Sequence, residues 1–139
     1  MSSDLGPCRT VTLLGSTGSI GTQAITVIQA NPQRYRVVGL SAGGSDLRQI
    51  AAQAVEQQAE VVAVARGAID DVRAAIAAAA AEAGDPAYQP EVLVGPDASR
   101  ELAARPVDVV LNGMTGAIGL EPTLAALRAG STLALANKE

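Results

Sequence analysis

Three glycines placed three residues apart, Gly15, Gly18 and Gly21, join an apolar run to a helical segment. The run ends at Leu14 and is typical of a buried strand, whereas from Ile20 onward the apolar residues recur at helical spacing. Glycines in such a turn allow a tight bend, a close approach of a ligand and close packing of the helix. The first amides of a helix lack acceptors within the helix and carry partial positive charge. The spacing therefore predicts a site for an anion, and a pyrophosphate would fit it.

The glycine pattern is a variant of a known fingerprint. The usual dinucleotide-binding turn reads G-x-G-x-x-G, whereas this one reads G-x-x-G-x-x-G. Its place between a strand and a helix, at the start of an alternating pattern, favours nucleotide binding. The alternative is an ordinary tight turn that is capped by Ser19 and holds no ligand.

A second loop bears on the choice of nucleotide. Dinucleotide folds that prefer NAD place an acidic residue at the end of the second strand, and here Ser41 stands at that point. A carboxylate would repel a 2′-phosphate, but Ser41, Gly43, Gly44 and Ser45 offer hydroxyls and amides. The loop therefore favours NADP over NAD, and the alternative is a plain flexible connection.

Two charged residues follow this loop. Arg48, one turn into the next helix, would add positive charge near a 2′-phosphate. Asp46 counts against the site, because its negative charge lies nearby unless its side chain turns away to cap the helix. Whether the loop suits a 2′-phosphate therefore depends on where the Asp46 side chain points.

The elements that must position these loops alternate along the chain. The sequence predicts strands over about 10–14, 35–40, 61–64, 91–94, 107–111 and 132–135, and helices over about 19–30, 47–55, 69–83, 97–104 and 120–129. Apolar runs, rather than alternating ones, indicate strands that are buried on both faces. We therefore expect an α/β fold with a doubly wound, Rossmann-like, mostly parallel sheet and helices on both faces. The loops 15–19, 41–45 and 112–116, joined by 137–139, should then meet at one edge.

Length and composition set the broad class. A chain of 139 residues with 48% hydrophobic content fits one domain over 10–139, preceded by a flexible leader over 1–9. A net charge of −4 gives no reason to expect nucleic acid or an anionic membrane as a partner. The single Cys8 fits a reducing, cytoplasmic compartment.

Catalytic and metal-binding groups are sparse. The chain has no histidine, which removes the commonest general base and the commonest metal ligand. Its carboxylates stand singly or on helix faces, and none forms an obvious cage of oxygen ligands. We therefore expect neither a catalytic cluster nor a metal site within this chain.

Several motifs in order resemble the N-terminal domain of the 1-deoxy-D-xylulose 5-phosphate reductoisomerase family, over about residues 11–139. They are Leu14–Gly21, Asn31-Pro32, Ala42-Gly43-Gly44, Pro122–Ala126, Arg128–Gly130 and the closing Leu135-Ala-Asn137-Lys138-Glu139. The resemblance implies an NADPH-dependent oxidoreductase of non-mevalonate isoprenoid biosynthesis. Such an enzyme rearranges 1-deoxy-D-xylulose 5-phosphate and reduces the product to 2-C-methyl-D-erythritol 4-phosphate, and it needs Mg²⁺ or Mn²⁺.

The resemblance also implies the site residues. They are Thr17, Gly18, Ser19 and Ile20 along the NADPH pyrophosphate, Gly43, Gly44 and Ser45 near the 2′-phosphate, Asn137 and Glu139 on the cofactor, and Lys138 on the substrate. Many family members carry a basic residue followed by Asn where Gly44-Ser45 stand here, which weakens the expected 2′-phosphate contact.

The same resemblance sets the expected limits of this chain. The family's metal ligands and substrate-phosphate site lie in a further, catalytic domain, and its homodimer contacts lie largely there too. We therefore expect a domain that binds NADPH and is inactive alone. Two alternatives stay open: another two-domain dehydrogenase, of aspartate-semialdehyde or homoserine type, and a non-catalytic nucleotide-binding module.

Overall fold

The structure, a computed structural model, describes residues 8–114 and 120–135. Its strands are β1 (Arg9–Leu14), β2 (Tyr35–Ala42), β3 (Val61–Val64), β4 (Glu91–Val94), β5 (Val109–Asn112) and β6 (Thr132–Leu135). Its helices are α1 (Ser19–Ala30), α2 (Leu47–Gln57), α3 (Ile69–Glu82), α4 (Ala98–Ala103) and α5 (Leu120–Arg128). Within this part of the chain, no helix is long and apolar enough to cross a lipid bilayer.

The strands form one sheet in the order β4-β3-β2-β1-β5-β6, and every neighbouring pair is parallel. From β1 the chain moves outward through β2, β3 and β4, and it then crosses back to place β5 on the other side of β1. The strand order therefore reverses between β1 and β5. In open α/β sheets, ligands bind beyond the carboxyl ends of the strands at this switch point.

Helices cover both faces of the sheet. Side chains of α1, α2 and α3 pack against one face in a cluster that includes Val62 and Val64 of β3. Side chains of α4 and α5 pack against the other face, with Val61 and Ala63 of the same strand. Because β3 is buried on both sides, its sequence is a continuous apolar run. The predicted doubly wound α/β fold is confirmed.

The element boundaries agree with the sequence-based ones to within two residues, and the difference at the start of β5 has a clear physical cause. The prediction started this strand near Val107, whereas it begins at Val109. The Val107 amide instead donates to Ser131 Oγ at 3.1 Å, and the Asp108 amide donates to Thr10 Oγ1 at 3.0 Å. Side chains thus satisfy these two amides before the strand ladder starts.

Two polar contacts hold the segment around β4. The Tyr88 hydroxyl donates to the Ala59 carbonyl at 2.6 Å, and burial, with a smaller effect of the Asp85 charge, raises the pKa of Tyr88 to about 12. The Arg105 guanidinium donates two hydrogen bonds of 2.6 Å to the Glu91 carboxylate. These bonds hold the pKa of Glu91 below its ordinary value. The contacts tie the β4 edge to the loops beside it.

Candidate functional site

The turn between β1 and α1 is fixed to the end of β2. The amides of Gly15 and Ser16 both donate to the Ser41 carbonyl, at 2.9 and 2.8 Å. Ser41 is completely buried, and its hydroxyl oxygen lies 3.4 Å from the Gly15 amide. The Ser41 hydroxyl, which was expected to be available to a 2′-phosphate, therefore supports the turn. β2 also extends two residues beyond its predicted end, to Ala42.

The three glycines of the turn have different roles. Gly15 has a φ of +78°, and a Cβ added there would lie 3.2 Å from the Gly113 backbone. A Cβ on Gly21 would lie 2.6 Å from both the Cα and the carbonyl oxygen of Ser16, so the helix could not pack as it does. Gly18 has an ordinary φ of −78°. The atom nearest to a Cβ added at Gly18 would be the Gly15 carbonyl oxygen, at 3.5 Å. Folding therefore requires glycine at Gly15 and Gly21, whereas Gly18 is not restricted by the protein itself.

The amino end of α1 has no side-chain cap. Gly18 is the N-cap residue, and Ser19 is the first helical residue. The alternative in which Ser19 caps the helix is wrong, since its hydroxyl instead lies 3.4 Å from Gln23 Nε2. Among residues 8–114 and 120–135, no group accepts a hydrogen bond from the amides of Ser19 or Ile20. These amides and the helix dipole can therefore bind an anion.

Helix α2 supports the same turn from behind. Gln53 Nε2 donates to the Ser16 carbonyl at 3.0 Å, and Gln49 Nε2 makes a longer contact of 3.5 Å with the Thr17 carbonyl. Gln53 is only 7% exposed, although it is polar. Sequence reasoning missed both glutamines. The available signal was a polar residue, Gln53, next to the apolar positions Ile50 and Ala54 on the buried side of the helix.

The loop between β2 and α2 packs against the loop after β3. Gly44 has a φ of +107°, and a Cβ added to it would lie 2.6 Å from the Arg66 carbonyl oxygen. Asp46 caps α2, since its Oδ1 accepts the Gln49 amide at 3.1 Å. The Asp46 carboxylate thus turns toward the helix, so its negative charge does not argue against a phosphate site at this loop.

A cavity of about 530 Å³ opens at the carboxyl edge of the sheet. It is lined by Gly15, Gly18, Ser41, Ala42, Gly43, Ala65, Arg66, Pro96, Ser99, Arg100, Gly113, Met114 and Pro122. The three loops that were expected to converge all contribute to it. The sequence did not identify Arg66 and Arg100 as part of this cavity. Arg48 lies elsewhere, in the groove between α2 and α3.

The predicted site residues fall into three groups. Gly18 and Gly43 line the cavity. Thr17, Ser19, Ile20, Gly44 and Ser45 lie within two residues of one of these glycines in the chain. Asn137, Lys138 and Glu139 lie outside the described residues. β6 leads toward them, and its last residue, Leu135, pairs with Asn112, which pairs in turn with Leu14. The described chain therefore ends at the same edge of the sheet as the glycine turn.

Acidic groups do not gather at this edge. Across the described ranges, 8–114 and 120–135, no cluster of three or more His, Cys, Asp or Glu side chains could hold a metal ion. The site as described therefore presents backbone amides and two arginines, a donor set that suits phosphate groups.

Comparison with known proteins identifies the family. The family model for 1-deoxy-D-xylulose 5-phosphate reductoisomerase matches residues 11–139. The chain belongs to this family. Among its relatives, the 1-deoxy-D-xylulose 5-phosphate reductoisomerase of Beutenbergia cavernae is 63% identical over 131 residues, which cover 94% of this chain and 32% of the relative. The enzyme of Paenarthrobacter aurescens is 60% identical, and the match covers 94% of this chain and 33% of the relative.

Solved structures agree with this assignment. The reductoisomerase from Zymomonas mobilis in complex with NADPH has a TM-score of 0.77 and 36% identity, over 94% of this chain and 32% of that one. A DOX-P reductoisomerase in complex with NADPH, fosmidomycin and magnesium has a TM-score of 0.77 and 32% sequence identity. This match covers 94% of the present chain and 30% of the other. The chain thus spans about a third of the length of these relatives. The family resemblance is confirmed, and the aspartate-semialdehyde and homoserine dehydrogenase alternative is excluded.

Proposed function

We propose that this chain binds NADPH and is the cofactor-binding part of a 1-deoxy-D-xylulose 5-phosphate reductoisomerase. The observation that carries the proposal is the uncapped amino end of α1, whose N-cap residue Gly18 lines the cavity. The cavity lies at the point where the strand order reverses, which is where α/β folds bind dinucleotides. Relatives with the same fold have been solved with NADPH bound.

We assign the site residues as follows. Thr17, Gly18, Ser19 and Ile20 would hold the pyrophosphate, Gly43, Gly44 and Ser45 would lie near the 2′-phosphate, Asn137 and Glu139 would contact the cofactor, and Lys138 would reach the substrate. The unbonded amides of Ser19 and Ile20 support the first group. Gly18 supports it too, because a residue without a side chain lets a phosphate approach the backbone closely.

In the reaction we propose, bound NADPH supplies the hydride that reduces the rearranged aldehyde to 2-C-methyl-D-erythritol 4-phosphate. The residues of this chain bind and orient the cofactor. The described residues hold no carboxylate cluster, so we propose that other parts of the full-length protein bind Mg²⁺ or Mn²⁺. A structure of a relative with magnesium supports the need for this ion. We also propose that the full-length protein is a cytoplasmic homodimer, that residues 10–139 form its NADPH-binding domain after a leader over 1–9, and that neither nucleic acid nor membrane is its partner.

Two variants at one position test the pyrophosphate site. In Ser19→Asp, a carboxylate enters the first turn of α1, where it favours the helix but repels a phosphate. We expect NADPH, followed by its fluorescence, to bind at least about tenfold more weakly to this variant, because like charges in contact cost several kcal/mol. The asparagine of Ser19→Asn has nearly the same shape as aspartate but no charge. This variant should keep the NADPH affinity of the parent within about threefold.

The outcomes separate clearly. Equal NADPH affinity in Ser19→Asp and Ser19→Asn would place the pyrophosphate elsewhere, and the absence of NADPH binding to the parent chain would refute the proposed function. We further expect no turnover of 1-deoxy-D-xylulose 5-phosphate by the 139-residue chain alone with NADPH and Mn²⁺. Measurable oxidation of NADPH in that assay would show that the chain needs no further domain.

A further inference from the structure

The cavity contains an arginine that forms no ion pair with any residue in the described part of the chain. Arg66 lies in the loop after β3 and lines the cavity next to Gly43. In the part of the chain that the structure describes, ion pairs within 4.0 Å involve Arg36, Arg100 and Arg105, but not Arg66. An exposed guanidinium at the rim of this cavity is available to a ligand.

The protein holds this guanidinium in place. The Arg66 amide donates to the Gly43 carbonyl at 3.1 Å, and Arg66 Nε lies 3.5 Å from the same oxygen. A Cβ added to Gly43 would lie 3.7 Å from Arg66 Nη2. The side chain therefore lies along the first glycine after β2, and its terminal nitrogens remain at the edge of the cavity.

The neighbouring positions cannot supply this charge themselves. Gly44 has no room for a side chain, since its Cβ would collide with the Arg66 backbone. Arg100 also lines the cavity, but it pairs with Asp97 at 3.3 Å. Arg48 lies in the groove between α2 and α3. Asp46, the acidic residue of the loop, is directed to the Gln49 amide and does not neutralise Arg66.

We propose that Arg66 sets the preference for NADPH over NADH by pairing with the 2′-phosphate on the adenosine ribose. The inference rests on the proposed function, since it assigns one residue to one end of the cofactor. The loop from Gly43 to Ser45 supplies space and amides, and Arg66 supplies the positive charge from the neighbouring loop. A guanidinium pairs with phosphate oxygens through several donors at once, which gives the contact both strength and geometry.

The test compares two dinucleotides that differ only in the 2′-phosphate. NADPH and NADH are titrated by fluorescence against the parent chain, Arg66→Gln and Arg73→Gln. Arg73 is an exposed residue of α3 that does not line this cavity, so its variant controls for the loss of one positive charge. We expect Arg66→Gln to weaken NADPH binding by roughly 10- to 100-fold, the effect of losing a charged hydrogen bond. NADH binding should stay within about twofold in both variants, and Arg73→Gln should leave NADPH binding unchanged.

A second probe isolates the adenosine end. Inhibition of NADPH binding by 2′,5′-ADP should weaken in Arg66→Gln, whereas inhibition by 5′-AMP should not. Equal losses for NADPH and NADH, or no loss for NADPH, would overturn the role of Arg66 while leaving cofactor binding intact. A parent chain that binds neither dinucleotide would instead refute the proposed function itself.

Discussion

Replacing Gly21 by alanine should break the site through packing and not through direct contact with a ligand. The added methyl group would lie 2.6 Å from the Cα and the carbonyl oxygen of Ser16, which are backbone atoms and cannot rotate away. Overpacking of this kind costs about 1–3 kcal/mol. Alanine recovers up to about 1 kcal/mol of helix propensity. Because the clash involves backbone, we expect a net loss of about 1–2 kcal/mol in the free energy of unfolding, with the turn displaced as α1 moves outward.

The assay is thermal unfolding combined with NADPH titration. For a chain of 139 residues, the expected loss lowers Tm by about 3–7 °C, and the displaced turn should weaken NADPH binding as well. Gly18→Ala is the matched control, because Gly18 has an ordinary backbone conformation and an added Cβ meets its nearest atom at 3.5 Å. Gly18→Ala should keep Tm within about 2 °C of the parent while still weakening NADPH. A Gly21→Ala chain as stable as Gly18→Ala would refute this reasoning.

Two further predictions concern the contacts around β4. The pKa of Tyr88 is raised to about 12 from its usual 10.0, so the stability gained from its protonated hydroxyl should be present below pH 10 and lost between about pH 10 and 12. Tyr88→Phe should lose about 0.5–1.5 kcal/mol at neutral pH and show none of that alkaline loss in urea unfolding. The pKa of Glu91 lies below its ordinary 4.5, so the contribution of the Glu91–Arg105 pair should be present above about pH 4.5 and lost as the pH falls further. Urea midpoints of the parent and of Glu91→Gln should therefore converge at low pH, and parallel curves between pH 3 and 7 would contradict the assignment.

Local pattern was enough to predict the architecture. Continuous apolar runs such as Val61–Val64 identified buried parallel strands, and the helical spacing after Gly18 located α1 correctly. The glycine turn and the capping role of Asp46 were also predictable, since each depends on residues adjacent in sequence. These features are local, and the backbone physics that produces them is visible in a short window.

The rest of the site depends on contacts between distant residues. The buried position of Ser41 follows from its bond to Gly15, and Gln53 reaches Ser16 from 37 residues away. Arg66 belongs to the cavity only because β3 lies next to β2. The topology rule used for three loops applied equally to the loop after β3, so Arg66 could have been found there. The identity of Gln53 as a support for the turn required the structure.

Several of the hydrogen bonds that hold the glycine turn come from residues outside it. A graft of residues 9–30 onto another sheet would carry the three glycines but would leave behind the carbonyl of Ser41 and the amide of Gln53. In such a transplant the turn would lack these hydrogen bonds and would adopt a different conformation. A transferable unit must therefore include at least the stretch from Arg9 to Gln57, and engineering a new dinucleotide site from this fold means moving these two strands and two helices together.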